Sequence, residues 1–187
     1  MRKILTVFIC CLISLTAFSQ SKKDIKKNRI KSSKVTATTM VDGKSVTITE
    51  SFQKFDGEGN VTDETEYTDA GAVKGRHTYT YNKIGDVMEE VVYNPDGSLK
   101  KRVVYKYNLN DDRTEQATYD VAGKLFEKEL WTYTANGDRN AEVVTDGNGS
   151  VTKKVIILYD NRGMKTSRKT TDAKGNLISE KKFTYEY

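Results

Sequence analysis

The sequence predicts an all-β protein, an antiparallel β-hairpin meander of about twelve strands. Three observations carry this prediction: a 26-residue repeat, a glycine-bearing turn in each half of the repeat, and intervening segments rich in Val, Thr, Tyr and Ile. No segment of the chain shows apolar residues at the 3.6-residue spacing of an amphipathic helix. At 187 residues, the length fits one domain or one short repeat array.

The repeat is defined by its turns, of which segment 93–99 (YNPDGSL) is typical. The pattern is an aromatic residue or Thr, then Asp, Asn or Thr, two further residues, Gly, one residue, and an apolar residue, with Arg or Lys in the last position at 113, 139 and 165. The glycine position falls at residues 59, 71, 85, 97, 111, 123, 137, 149, 163 and 175. Successive positions are alternately 12 and 14 residues apart, so the period of 26 has two unequal halves.

The turn residues have a physical explanation. In segment 94–97, Pro95 sets φ for a type I turn, Asn94 caps the turn with its side chain, and Gly97 adopts positive φ without strain. This combination is a common β-hairpin connection with a bulge at the glycine. Asp111 replaces glycine once, and Asp tolerates the left-handed region better than most residues. An earlier turn is predicted near segment 41–44.

Side chains alternate along a strand, so Val103, Tyr105 and Tyr107 are predicted to share one face with Leu99. Tyr93 is expected opposite Leu99 on that face, across the turn. The other long strands add aromatic and β-branched residues to the same face. They form a candidate binding face whose aromatic members are Tyr79, Tyr81, Tyr105, Tyr107, Trp131, Tyr133 and Tyr159.

Simple alternation places Arg113, Glu115 and Ala117 on this face of a short strand, which makes a fully dry interior doubtful. Two architectures therefore fit: a sheet curled into a roll or barrel with the aromatic ladder inside, or an open, twisted single sheet. In the open sheet, long Lys and Arg stems would cover the aromatic rings. About twelve strands is near the limit for an open sheet, which favours curling.

The N-terminal residues 1–19 are predicted to be a signal peptide. Arg2 and Lys3 precede an apolar run, and small residues before Gln20 form a cleavage site. Cleavage would remove both cysteines, Cys10 and Cys11, and would leave no stable membrane span. We therefore expect a secreted or periplasmic protein, or one of the bacterial cell envelope.

Residues 20–34 are predicted to be a basic, disordered linker, and residues 35–187 the β-hairpin repeat domain. The linker carries a net charge of +6 and the signal peptide +2, so the repeat domain has −3. A nucleic-acid-binding domain would carry its basic patch on the fold, so this charge distribution argues against nucleic acid as a partner.

The sequence offers little material for catalysis. His77 is the only histidine, expected at the surface, and no nucleophile motif or phosphate loop is present. We therefore expect no metal, no cofactor and no enzymatic activity.

The turns resemble the YD repeats of the RHS family over about residues 41–187. The matching elements are YDxxGxL at 119–125, YDxxG at 159–163, and the aromatic pairs Tyr79/Tyr81 and Tyr105/Tyr107, with Trp131/Tyr133 a near variant. This resemblance implies β-hairpin strips and export, and in the large family members shells around secreted toxins.

Together these features predict an exported, non-enzymatic binding or scaffold module of the bacterial envelope or secretion pathway. The aromatic ladder is either the packed interior of the sheet or a repetitive surface for an envelope protein or polysaccharide. Exposed edge strands offer self-association or strand addition by a partner. The alternative function, implied by the resemblance, is a small component that packages, escorts or neutralises a secreted toxin.

Overall fold

The computed structural model describes residues 21–186 and confirms an all-β antiparallel meander of twelve strands. The predicted signal peptide lies outside the described residues. One short helix precedes the sheet. The elements are α1 (Lys22–Lys27), β1 (Ser32–Val41), β2 (Lys44–Phe55), β3 (Val61–Tyr67), β4 (Val73–Tyr81), β5 (Val87–Tyr93), β6 (Leu99–Tyr107), β7 (Arg113–Tyr119), β8 (Leu125–Tyr133), β9 (Arg139–Asp146), β10 (Val151–Tyr159), β11 (Lys165–Asp172) and β12 (Leu177–Lys182).

The strands form one open sheet in chain order, with β1 and β12 at its two edges. Each strand pairs with its neighbours in sequence, and β1 does not pair with β12. A barrel requires hydrogen bonds between the first and last strands. The open single sheet is therefore the architecture present, and the curled roll or barrel that the strand count favoured is not formed.

The turns have the predicted backbone geometry. In the typical turn, the Asn94 amide donates to the Ser98 carbonyl at 2.8 Å, and Gly97 has φ of 82°. Asp111 adopts the left-handed region in place of glycine, with φ of 63°. The β1–β2 turn is tighter, because Asp42 and Gly43 both have positive φ, as a two-residue type I′ hairpin requires.

At every turn after β2, a bulge shifts the strand register by one residue. The side chains of the short strands therefore lie on the face opposite to the one that simple alternation from the long strands predicts. At the β6–β7 turn Tyr107 pairs with Arg113, but Tyr105 pairs with Gln116. A one-residue shift moves every following side chain to the other face. The prediction that Glu115 and Ala117 share the face of Tyr105 is therefore wrong: Gln116 and its neighbour Thr118 occupy that face instead.

Apart from Ala117 on the opposite face and Ile25 on α1, the core is a single layer on one side of the sheet, which we call the aromatic face. It is centred on Tyr105, Trp131 and Val155, and its most buried member, Val155, is only 1% exposed. The predicted pairing of Tyr93 with Leu99 is confirmed, but the expectation that Tyr93 lies on this face is wrong. Tyr93 pairs with Arg76 on the opposite face, where the Arg76 guanidinium lies 5.2 Å from its ring. No second sheet covers the aromatic face within residues 21–186, so burial comes from neighbouring side chains of the same layer.

The segment expected as a disordered linker is ordered where the structure describes it. Ser21 caps α1 by accepting a hydrogen bond from the Asp24 amide, and Ile25 is buried. The helix packs against the β2–β3 turn, where a Cβ on Gly59 would lie 2.5 Å from the Lys22 carbonyl oxygen. Lys26 also pairs with Glu58 of that turn at 2.5 Å. The lysines therefore lie on a docked helix, and β1 begins at Ser32.

Candidate interaction surfaces

The seven aromatic residues of the candidate binding face all lie within β4, β6, β8 and β10, but their rings are not open to solvent. Tyr105 and Trp131 are buried, with 7% and 8% exposure, and the other five are half-buried. Of the two interpretations that the sequence left open, this burial favours the packed interior. Ligand binding by this face stays a prediction.

Four tyrosines at the ends of long strands, and Tyr185 just beyond β12, use their hydroxyl groups inside the sheet. Each donates to the main-chain carbonyl twenty residues earlier, at the start of the preceding short strand. The bonds run from Tyr81 to Val61 (2.5 Å), Tyr107 to Val87 (2.8 Å), Tyr133 to Arg113 (2.6 Å), Tyr159 to Arg139 (2.8 Å) and Tyr185 to Lys165 (2.8 Å). These tyrosines therefore close the open ends of alternate hairpins and are not available as free donors.

Arginine side chains cover the central rings, as the open-sheet alternative predicted. The guanidinium of Arg113 lies 4.2 Å from the centre of the Tyr105 ring, and that of Arg139 lies 5.6 Å from Trp131. A cation over an aromatic face is favourable, more so where the pair is shielded from water. A sugar would have to displace these guanidinium groups before it stacked on either ring.

A polar network links three strands across this face. Glu90 of β5 bonds His77 of β4 at 2.7 Å through one carboxylate oxygen and accepts from the Tyr105 hydroxyl of β6 at 2.9 Å through the other. The His77 side chain is 31% exposed, so it is less open than the expected surface residue. Sequence reasoning missed Glu90, although the pairing of Tyr79 with Glu90 follows from the shifted register.

Burial raises the pKa of the tyrosines in this layer. The pKa of Tyr81 is raised to about 12 by burial, with the charges of Asp56 and Glu64 adding to the effect. Burial likewise raises the pKa of Tyr105, together with its hydrogen bond to Glu90. These phenols stay protonated at neutral pH and act as hydrogen-bond donors.

The carboxylates of β8 and β9 form the most buried charged cluster of the face. Glu142 is 6% exposed and lies 3.1 Å from the Lys153 ammonium group. Burial raises the pKa of Glu129, and the charge of Glu142 contributes. Nearby, Trp131 Nε1 and Thr170 Oγ1 are buried without a hydrogen-bond partner in the described residues. No group of three His, Cys, Asp or Glu residues within 21–186 is placed to hold a metal ion.

The opposite face of the sheet is covered mainly by ion pairs. Arg76 binds Asp63 through two hydrogen bonds of 2.9 and 2.7 Å, and this holds the pKa of Asp63 below its ordinary value. Leu130, Ile156 and Leu158 are exposed on β8 and β10, with charged residues around them. Among the described residues, no helix is long and apolar enough to cross a membrane.

The edge at β1 is the least protected part of the sheet. β2 pairs with β3 only over residues 51–55, so residues 36–49 of β1 and β2 extend beyond β3 as a two-stranded arm. Segment 35–41 (VTATTMV) has no charged residue, no Pro and no Gly, and Met40 is 69% exposed. A groove of about 710 Å³ separates the arm from the β3–β4 turn.

The opposite edge differs in its chemistry. All six residues of β12 are exposed, and Glu180, Lys181 and Lys182 form its second half. Charged side chains, lysine especially, commonly protect edge strands against pairing with other chains. The two edges are therefore unequal: β12 carries this protection and the outer part of β1 does not.

No protein-family model matches the chain, and no curated protein matches it. A porin-like protein from Bacteroides uniformis is 15% identical over 76% of this chain, with a TM-score of 0.42, and this chain spans only 56% of it. The structure of TcdB2-TccC3-Cdc42 matches at 8% identity over 81% of this chain and 9% of its own, with a TM-score of 0.42.

A protein of unknown function from Bacteroides fragilis is 14% identical, covering 84% of this chain and 96% of its own, with a TM-score of 0.24. TM-scores this low carry no argument about the fold or the function of this chain. The resemblance to YD repeats therefore stays a prediction from sequence.

Proposed function

We propose that this protein is a non-enzymatic binding or scaffold module that acts through its open sheet edge, and that the aromatic face is mainly its structural core. The proposal includes export to the bacterial envelope or secretion pathway, for which the predicted signal peptide is the support. The partner is an extended polypeptide segment that adds a strand to the sheet.

The observation that carries the proposal is the arm of residues 36–49. An isolated two-stranded hairpin is marginally stable in water, and this arm has no third strand beside it. Its outer strand presents unpaired backbone groups without the charges that usually protect an edge. Strand addition would satisfy those groups and stabilise the arm.

Site-specific photo-crosslinking in a bacterium that produces the full chain tests this proposal. A photoreactive amino acid that replaces Met40 reports on the β1 edge. In a second variant it replaces Lys101 and reports on the aromatic face, because Lys101 is exposed and pairs with the buried Val92. We expect a polypeptide adduct from position 40 and none from position 101. Adducts from position 101 alone, or a glycan on the face, would overturn the assignment to the edge.

A further inference from the structure

The outer edge of β1 has a charge pattern that matches itself in the antiparallel direction. Lys34 and Asp42 lie at the two ends of the uncharged segment 35–41, and neither forms an ion pair within residues 21–186. Opposite charges placed symmetrically around an uncharged centre are complementary when two copies run antiparallel.

We infer that the partner at this edge is a second copy of the same chain, joined by antiparallel pairing of β1 with β1 around Thr38. This inference rests on the proposed use of the β1 edge and names its occupant. In this register, Thr38 of one copy lies opposite Thr38 of the other, and Val35 lies opposite Val41. Lys34 of each copy then lies beside the β1–β2 turn of the other, where Asp42 directly follows β1, so the interface gains two ion pairs.

This contact limits the assembly to two copies. Two-fold pairing uses the same edge of both copies, so it consumes both β1 strands and leaves the charged β12 strands outermost. The two-fold axis is perpendicular to the sheet, so both aromatic faces lie on the same side. The dimer is thus one continuous sheet of doubled width, protected at each end by Glu180, Lys181 and Lys182.

A pair of charge variants tests the register directly. Thr38→Lys places two like charges opposite each other at the axis, and Thr38→Glu does the same with the opposite sign. Each variant should weaken dimerisation about fivefold or more, because like charges directly opposite across strands are unfavourable by up to about 1 kcal/mol. Mixing the two variants in equal amounts should restore the dimer, since Lys then faces Glu. Thr38 is exposed, and among residues 21–186 its side chain bonds only Thr47, so folding should survive either change.

Sedimentation velocity of the protein purified from the expressed full chain measures these states over a concentration series. Ser179→Lys, at the middle of β12, is the matched control and should leave the dimer unchanged. A wild-type protein that stays monomeric overturns the inference, as does an oligomer that is insensitive to Thr38→Lys or that grows beyond a dimer. If the protein is monomeric but position 40 crosslinks to a different protein, the second-copy inference fails while the proposed function stands.

Discussion

The hydroxyl group of Tyr133 donates a hydrogen bond of 2.6 Å to the main-chain carbonyl of Arg113, twenty residues earlier. The bond joins the end of β8 to the start of β7, and four equivalent bonds recur along the sheet. The repeat therefore has a second function beyond turn formation. It places a phenol where it connects each long strand to the preceding short strand.

Removing that hydroxyl should have a measurable effect on stability. We expect Tyr133→Phe to lower the free energy of unfolding by about 1 kcal/mol, because the Arg113 carbonyl loses the hydroxyl donor. Tyr119→Phe is the matched control, since the Tyr119 hydroxyl has no hydrogen-bond partner among residues 21–186. Chemical denaturation of both variants measures the difference. Equal stability of the two would argue against a structural role for the tyrosine bonds.

The docking of α1 makes one glycine of the β2–β3 turn more important than its neighbour. Gly59→Ala should destabilise the protein by about 1–2 kcal/mol, because Gly59 has φ of 83° and an added Cβ would meet the Lys22 carbonyl. The altered turn should also release α1, which exposes Ile25 and its flanking lysines to protease. Gly57→Ala in the same turn should be nearly neutral, since Gly57 has ordinary φ and open space around it.

Two outcomes would contradict this account of the helix. One is an unchanged rate of cleavage near Ile25 in Gly59→Ala. The other is an equal effect of Gly97→Ala on that rate, since Gly97 has positive φ but lies far from α1 with nothing near its Cβ position. Limited proteolysis followed by mass spectrometry measures the rate at each site.

The raised tyrosine pKa values predict alkaline sensitivity. An unfolded tyrosine titrates near pH 10, whereas the pKa of Tyr81 is about 12 in the folded protein. The folded state therefore keeps the proton to higher pH than the unfolded state does. The contribution to stability is complete below about pH 10 and is lost as the pH rises towards about 12.

Denaturant unfolding midpoints, measured at a series of pH values from about 9 to about 12, should fall as this stabilisation is lost. Tyr81→Phe should make the decline shallower, because one shifted group no longer titrates. A midpoint that stays constant over this range would show that the phenols have the same pKa in the folded and the unfolded chain.

Export has a chemical signature at the N terminus. If residues 1–19 are a signal peptide, the protein isolated from the producing bacterium should begin at Gln20 and contain no cysteine. Intact-mass measurement with and without a thiol-reactive label reads both features. Replacement of Ala17 by Tyr should block cleavage, because the site requires a small residue there. A protein that retains Cys10 and Cys11 would contradict the export part of the proposal.

The turns could be predicted from sequence because their chemistry is local. Glycine at the left-handed position and Asx or Thr at the turn start specify each hairpin, and even Asp111 followed the rule. The faces of the short strands could not be derived by simple alternation. A bulge at each turn inserts one residue, so Gln116 and not Glu115 faces inward beside Tyr105.

Closure and helix docking depend on contacts distant in sequence. Strand number alone does not decide whether β1 meets β12, since that depends on accumulated twist and stagger. The docking of α1 depends on the match between Lys22 and Gly59, which no local pattern reveals. One signal was available: Ser21 and Asp24 have the spacing of a helix cap, just before Ile25, the one apolar residue of α1.

Fluorescence of the single tryptophan tests the central claim most directly, namely that the aromatic face is core and the edge is the site of interaction. The protein purified from the expressed full chain is titrated with iodide, first folded and then in denaturant. We predict blue-shifted emission from folded Trp131 and several-fold weaker quenching than in the unfolded chain, since Trp131 is 8% exposed beneath Arg139. Equal quenching in both states would show that the aromatic face is open to water. The aromatic face, and not the β1 edge, would then be the candidate binding surface.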